Sequence, residues 1–131
     1  MSLRPGSLVT VAFPFTGLSG VKRRPALVLV AGREDVVLCA VTSKLSGRHD
    51  AVPIRRDDLV EGRLPKRSEI RPLKLFTIHR SLLRSVVGQV SGQTHARVVD
   101  LLVEALRPGA RRTVRRPKVP VTGTTTSSRR R

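Results

Sequence analysis

The sequence predicts a mainly β fold: a small, strongly curved barrel with one C-terminal helix packed on it. Three observations carry that expectation. Short runs rich in Val, Leu, Ile and Phe recur through the first ninety residues, separated by Gly, Pro and Asp punctuation. One later stretch, residues 91–106, switches from strand-like to helical spacing of its apolar residues. The chain has 131 residues, the length of a single domain, with no repeat period.

The elements follow in order. Residues 8–13 form an apolar run that Pro14 ends, followed by the Gly/Ser loop 16–20. Pro25 holds Arg24 in an extended conformation, and residues 26–30 are apolar throughout, as in a strand buried on both faces. The turn Gly32-Arg33-Glu34-Asp35 leads to a third strand, 36–41, so residues 26–41 read as a hairpin. A polar loop, 46–50, precedes a short strand at 52–54. Pro53 confines that strand to a sheet edge, because it has no N–H to give a central ladder. Residues 55–67 are polar and charged. Further strands are expected at 70–78, despite Pro72, and at 86–90. From 91 to 106, Val98, Val99, Leu101, Leu102, Ala105 and Leu106 recur at helical spacing. Ser91 is placed to cap the helix and Pro108-Gly109 to stop it.

Charge divides the chain. It holds 26 Lys and Arg against 9 Asp and Glu, a formal net charge of +17. Nine of those cations lie from Arg107 onward, where there is no acid, which leaves +8 on residues 1–106. The last stretch also lacks Leu, Ile and Phe and is interrupted by Pro and Gly. It cannot bury enough apolar surface to offset its ordering entropy, and residues 107–131 are expected to be a disordered basic tail behind a folded domain at 1–106. So basic a chain points to a polyanionic partner.

Other classes are disfavoured. Cys39 is the sole cysteine, so there is no disulfide framework and no Cys-rich zinc site. His49, His79 and His95 lack metal-ligand spacing, and no metal or cofactor is expected. No apolar run approaches the ~20 residues that cross a bilayer, and the N-terminal residues have no apolar signal region. A cytoplasmic protein with no membrane partner is expected. With no Trp or Tyr, an extended base-stacking platform is not expected either.

No phosphate-binding Gly loop, nucleophile elbow or metalloprotease motif is present. Asp57 and Asp58 are adjacent and would face opposite ways on a strand. What remains is Arg and Thr chemistry. In a hairpin centred on residues 32–35, Arg24 and Thr42 come together at one end of the sheet. A guanidinium beside a hydroxyl suits a phosphate. On RNA, it also suits the extra negative charge at phosphorus during attack by the 2′-hydroxyl. The same residues would equally serve as solvated strand ends, and pattern alone leaves both readings open. Lys22, Arg23, Ser43, Lys44 and Lys74 flank the pair and are candidates for holding RNA phosphates. His49 is either a proton-transfer group or an exposed loop residue without a role. Cys39, inside an apolar run, is expected in the core.

Four blocks resemble the MazF/PemK toxin family. PGSLVTVAFPFT, residues 5–16, is similar to the family's opening "PGD-(I/V)-(V/W)-x-V-x-FPFT". GVKRRPALVL, residues 20–29, is similar to "G-x-(K)-x-RPALVL". DVVLCAVTS, residues 35–43, resembles the next strand and its terminal Thr. SEIRPLKLFTI, residues 68–78, resembles the later "S-x-(I/V)-x-x-x-K-(L/I)-x-T" strand. The blocks keep their order and spacing over about residues 4–106.

The resemblance implies an SH3-like β-barrel that forms a homodimer. It implies a metal-independent endoribonuclease that cuts single-stranded RNA at short sequences, leaving a 2′,3′-cyclic phosphate and a 5′-hydroxyl. The family's functional Arg corresponds to Arg24 and its functional Thr to Thr42. The implied protein partner is an antitoxin whose acidic C-terminal segment lies in the RNA groove. Two other activities fit such a barrel. One is a gyrase-poisoning toxin of the same fold, which does not need the Arg24/Thr42 pair. The other is a basic barrel that binds RNA without cutting it. The chain departs from the pattern at Ser7, where Asp is usual, in the loop 17–20, and in its basic tail.

Overall fold

The computed structural model describes residues 3–13 and 22–109, apart from the side chains of Phe13 and Lys22. The loop expected at 16–20, and all but the first three residues of the expected tail, lie outside it. Seven strands and one helix follow in order: β1 (Ser7–Phe13), β2 (Lys22–Ala31), β3 (Asp35–Thr42), β4 (Val52–Ile54), β5 (Leu59–Gly62), β6 (Ser68–His79), β7 (Leu83–Val90) and α1 (Gly92–Leu106). The strands form one sheet in the order β4-β6-β3-β2-β1-β7-β5. Every neighbouring pair is antiparallel. The sheet curls into a half-barrel and carries the helix, so the expected fold class is the one observed.

Two-residue alternation sorts the core. Leu8, Leu27 and Cys39 stand opposite one another across β1, β2 and β3. They share a buried cluster with Val41, Ile70, Val90 and Val98 of α1. Val9, Ala26, Val28 and Leu38 belong to a second cluster, with Val11, Val36 and Leu83. Ala26, Leu27 and Val28 are all fully buried, as the unbroken apolar run from Ala26 requires. Each buried Leu or Val contributes about 1.5–3 kcal/mol relative to exposure. Cys39 sits within this core, and burial pushes its thiol up to about 12.

Irregularities bend the sheet. In the β3–β6 ladder, Arg71 pairs with Ala40 but Leu75 pairs with Cys39, so residues 72–74 bulge out. Pro72, lacking an N–H, cannot hold the ladder at that point. Gly62 ends β5 with φ +71°, and a Cβ there would run into the Val87 carbonyl oxygen. Only glycine allows β5 to close against β7 in this way.

Strand limits differ from the sequence reading mainly at their ends. β2 starts at Lys22 rather than 26, and β7 at Leu83 rather than 86. β5 lies inside the stretch expected to be merely polar; its side chains are half-buried or exposed, so it carries no alternating pattern. β4 is the edge strand expected from Pro53. In α1, the Ser91 hydroxyl accepts the Thr94 N–H at 3.1 Å, the expected cap. Val98 is buried, and Leu101, Leu102 and Ala105 are half-buried on the same side.

Candidate nucleic-acid interface

Where β2 and β3 meet β6, the sheet forms an open cleft of about 680 Å³. The β2–β3 ladder pairs Ala26 with Ala40. Continued two places further, that register sets Arg24 opposite Thr42. Both line the cleft. The third strand adds Arg71, opposite Ala40, Lys74 from the bulge, and half-buried Phe76 beyond it. Lys44 enters from the loop after β3. Arg24, Lys44, Arg71 and Lys74 therefore share one cleft with the Thr42 hydroxyl, and Pro25, Ala40 and Leu75 add apolar lining.

The hydroxyl is oriented. Thr42 Oγ1 accepts the Lys44 backbone N–H at 3.1 Å. A hydroxyl has one proton to give, and this arrangement leaves that proton free for an anionic oxygen in the cleft.

Behind the cationic wall lies one acid. Glu69 stands opposite Thr42 in the β3–β6 ladder and is 2% exposed. Its carboxylate accepts the Ser46 N–H at 3.0 Å and the Ser46 hydroxyl at 2.7 Å. Arg71 Nη1 lies 3.9 Å away. Glu69 thus fastens the loop that carries Lys44 and supplies a counter-charge to Arg71. The loop is braced further by Arg48. Its N–H donates to Ser46 Oγ, and its guanidinium grips Asp50 with two bonds, at 2.9 and 3.1 Å. That hydrogen-bonded grip holds the Asp50 carboxyl below the usual carboxylate range.

Of the candidates read from the sequence, the cleft brings together Arg24, Thr42, Lys44 and Lys74. Arg23 and Ser43 are exposed and outside its lining: Arg23 neighbours Arg24 on β2 and faces the other way, and Ser43 lies just past the end of β3. The Lys22 side chain lies outside the described part of the chain. His49 is exposed on the loop and does not line the cleft. Arg71 and Glu69 were not singled out. The signal was there in the spacing of Glu69 and Arg71 on a strand already matched to the family, two residues apart and hence on one face. Among the described residues, no group of three or more His, Cys, Asp or Glu side chains is placed to hold a metal ion. No described helix is long and apolar enough to cross a membrane.

Comparison with known proteins gives a consistent placement. A MazE–MazF structure from Deinococcus radiodurans superposes with TM-score 0.66 at 23% identity, covering 81% of this chain and 97% of that one. An endoribonuclease from a mycobacterial species, solved with its cognate antitoxin, superposes with TM-score 0.63 at 17% identity, covering 80% and 95%. The Mycobacterium tuberculosis toxin MazF-mt6 gives TM-score 0.57 at 21% identity, covering 78% and 95%. At these identities the likeness establishes the fold. No curated protein matches the sequence. The family model for PemK-like, MazF-like toxins matches residues 4–106, nearly the whole described chain. With three of its four motif blocks lining one cationic cleft, the chain belongs to the PemK-like, MazF-like toxins of type II toxin–antitoxin systems.

Proposed function

We propose that the protein is an endoribonuclease toxin that cuts single-stranded RNA, without a metal ion, at the Arg24–Thr42 cleft. The observation that carries this reading is the convergence of those two residues, with Arg71, Lys44 and Lys74, on a single depression. A phosphodiester placed there is held by guanidinium forks and ammonium groups. The 2′-hydroxyl oxygen attacks phosphorus and its proton leaves to solvent. The bond from phosphorus to the 5′-oxygen breaks, and that oxygen takes up a proton. The products are a 2′,3′-cyclic phosphate and a 5′-hydroxyl. Arg24 and Arg71 stabilise the charge that builds on the phosphoryl oxygens, and the Thr42 hydroxyl donates to one of them. Arginine is too weak an acid to protonate the leaving oxygen itself.

The protein acts as a homodimer in the cytoplasm and is neutralised by an antitoxin with an acidic segment. Supporting the dimer, Val103 and Leu106 leave an exposed apolar edge on α1. Supporting the antitoxin, the cleft is cationic and complements an acidic chain as well as RNA. The folded domain spans residues 1–106, and the basic tail from 107 to 131 adds affinity for RNA without choosing the cut site.

The test is cleavage of a mixed single-stranded RNA pool in EDTA, with mapping of 5′-hydroxyl ends. The unaltered protein cuts, and Arg24→Ala lowers the rate by at least about a hundredfold while the dimer persists. Cleavage by Arg24→Ala at the unaltered rate removes the site. Loss of all cleavage in EDTA removes metal independence.

A further inference from the structure

A second depression of similar size lies outside the cleft, between the β4–β5 connection and the β5–β6 connection. Its volume is about 720 Å³. Five cations line it: Arg55, Arg56, Arg63, Lys66 and Arg67. All five are exposed, and among the described residues none takes part in a salt bridge. Asp57, Asp58 and Glu61 belong to the same stretch of chain yet are absent from the lining. Asp58 is turned to its own backbone, where its carboxylate accepts the Arg55 N–H at 2.7 Å. Ile54, Leu59 and Leu64 give the depression an apolar floor.

Five like charges around one hollow repel each other and give the fold nothing in return. A polyanion removes that repulsion. The depression is also not isolated. A smaller hollow of about 440 Å³ shares Arg55, Arg56 and Arg67 with it and reaches Leu45, Gly47 and Glu69. Leu45 adjoins Lys44 of the Arg24–Thr42 cleft, and Glu69 holds Ser46 in the same loop. The three hollows thus run side by side around the loop between β3 and β4.

We propose that this basic hollow is a second RNA-binding subsite, which holds the phosphates of the same single strand beyond the cleavage cleft. Four of its five cations are arginines, whose planar forks match phosphate oxygens. Its apolar floor offers a surface for the face of an unpaired base. Its link, through the smaller hollow and the loop that carries Lys44, to a cleft read as an RNA site favours a nucleic-acid strand over an acidic protein segment. The subsite holds the strand without reading its sequence, because phosphate contacts position a chain and carry no base information. It rests on the proposed function only for the identity of the strand that leads into it.

The experiment uses the full chain and the triple variant Arg56→Gln, Arg63→Gln, Lys66→Gln. All three positions are exposed and outside the cleft, so folding and cleavage chemistry are preserved. The probes are 2′-O-methyl RNAs, which lack the attacking hydroxyl and stay intact, of about six and about twenty nucleotides. On the longer probe, the triple variant binds at least about tenfold more weakly at low salt. Its slope of log affinity against log salt shrinks by about 2, since each lost phosphate contact on a single strand removes roughly 0.7. On the short probe, both proteins bind alike. Equal slopes on the long probe overturn the proposal. So does an equal loss on both probes, which would place these cations in the cleavage cleft. Loss of polyglutamate binding with unchanged RNA binding also overturns it, and assigns the hollow to an acidic protein. Cleavage of RNA by the unaltered protein is followed in parallel. Cleavage with unchanged slopes refutes the subsite and leaves the function standing. No cleavage with the expected slope change supports the subsite and refutes the enzymatic reading.

Discussion

Glu69 braces two parts of the cleft's surroundings, Arg71 and the loop after β3. A carboxylate buried to 2% exposure survives only if its lone pairs are satisfied, and here Ser46 satisfies both oxygens while Arg71 approaches one of them. Removing it strands the Ser46 donors and frees both Arg71 and the loop that carries Lys44. Glu69→Ala is therefore expected to cost about 1–3 kcal/mol of stability. It should also raise KM for RNA more than it lowers kcat, because it acts by placing cations rather than by touching the reacting atoms. Urea denaturation and steady-state kinetics check this, and a variant unchanged in both refutes the role. At this scale, legibility in the sequence was uneven. Arg24 and Thr42 lie in the second and third motif blocks, and hairpin register is enough to set them at one end of the sheet. Arg23 is expected beside them, although strand alternation turns it away from Arg24, and so is Ser43, which falls just beyond β3. Glu69 and Arg71 went unread because a lone acid in a strand ordinarily faces water. The pairing of β3 with β6 shows that this one is buried instead.

At the scale of elements, the apolar runs announced β1, β2, β3 and β6 because each of these strands has a buried face. β5 had no such announcement. Its residues, from Leu59 to Gly62, are half-buried or exposed, and the strand exists through its ladder to β7 and the turn that Gly62 permits. α1 was the most legible element, since its stripe, cap and stop all agree. It also carries the fold's clearest pH dependence. His95 Nδ1 is buried with no hydrogen-bond partner among the described residues, and burial lowers its pKa below the usual 6.5. The folded state therefore favours the neutral ring. Above pH 6.5 the full stability is present, and it declines as the pH falls toward the depressed value, because the unfolded chain takes up the proton first. Between pH 7.5 and about 5.5, the urea midpoint should fall further for the unaltered protein than for His95→Gln, which stays neutral. Parallel declines would show that His95 contributes nothing.

Over the whole molecule, the excess of cations has three addresses. Four cations line the Arg24–Thr42 cleft, five line the hollow beside it, and nine lie from Arg107 onward. Composition revealed the total and the share carried by the last stretch. It did not reveal that the folded part's excess is gathered on adjoining hollows, because that grouping depends on the curl of the sheet. Truncation after Leu106 is expected to weaken RNA binding at low salt, with the difference fading as salt rises, and to leave the cut site unchanged. Mapped RNA ends and a salt titration check both halves of that statement. A shifted cut site would put the tail inside the cleft.

The sole cysteine of the chain gives the protein its own clock. Cys39 is fully buried in the middle of β3, and its thiol is raised to about 12, so folded molecules present no thiolate to a solvent reagent. Labelling then waits on opening of the sheet, and its rate measures how often the core comes apart. The protein can thus be timed, alone and with an acidic peptide bound, with no engineered probe. Slower labelling in the presence of a bound acidic segment would report the stabilisation that the segment confers.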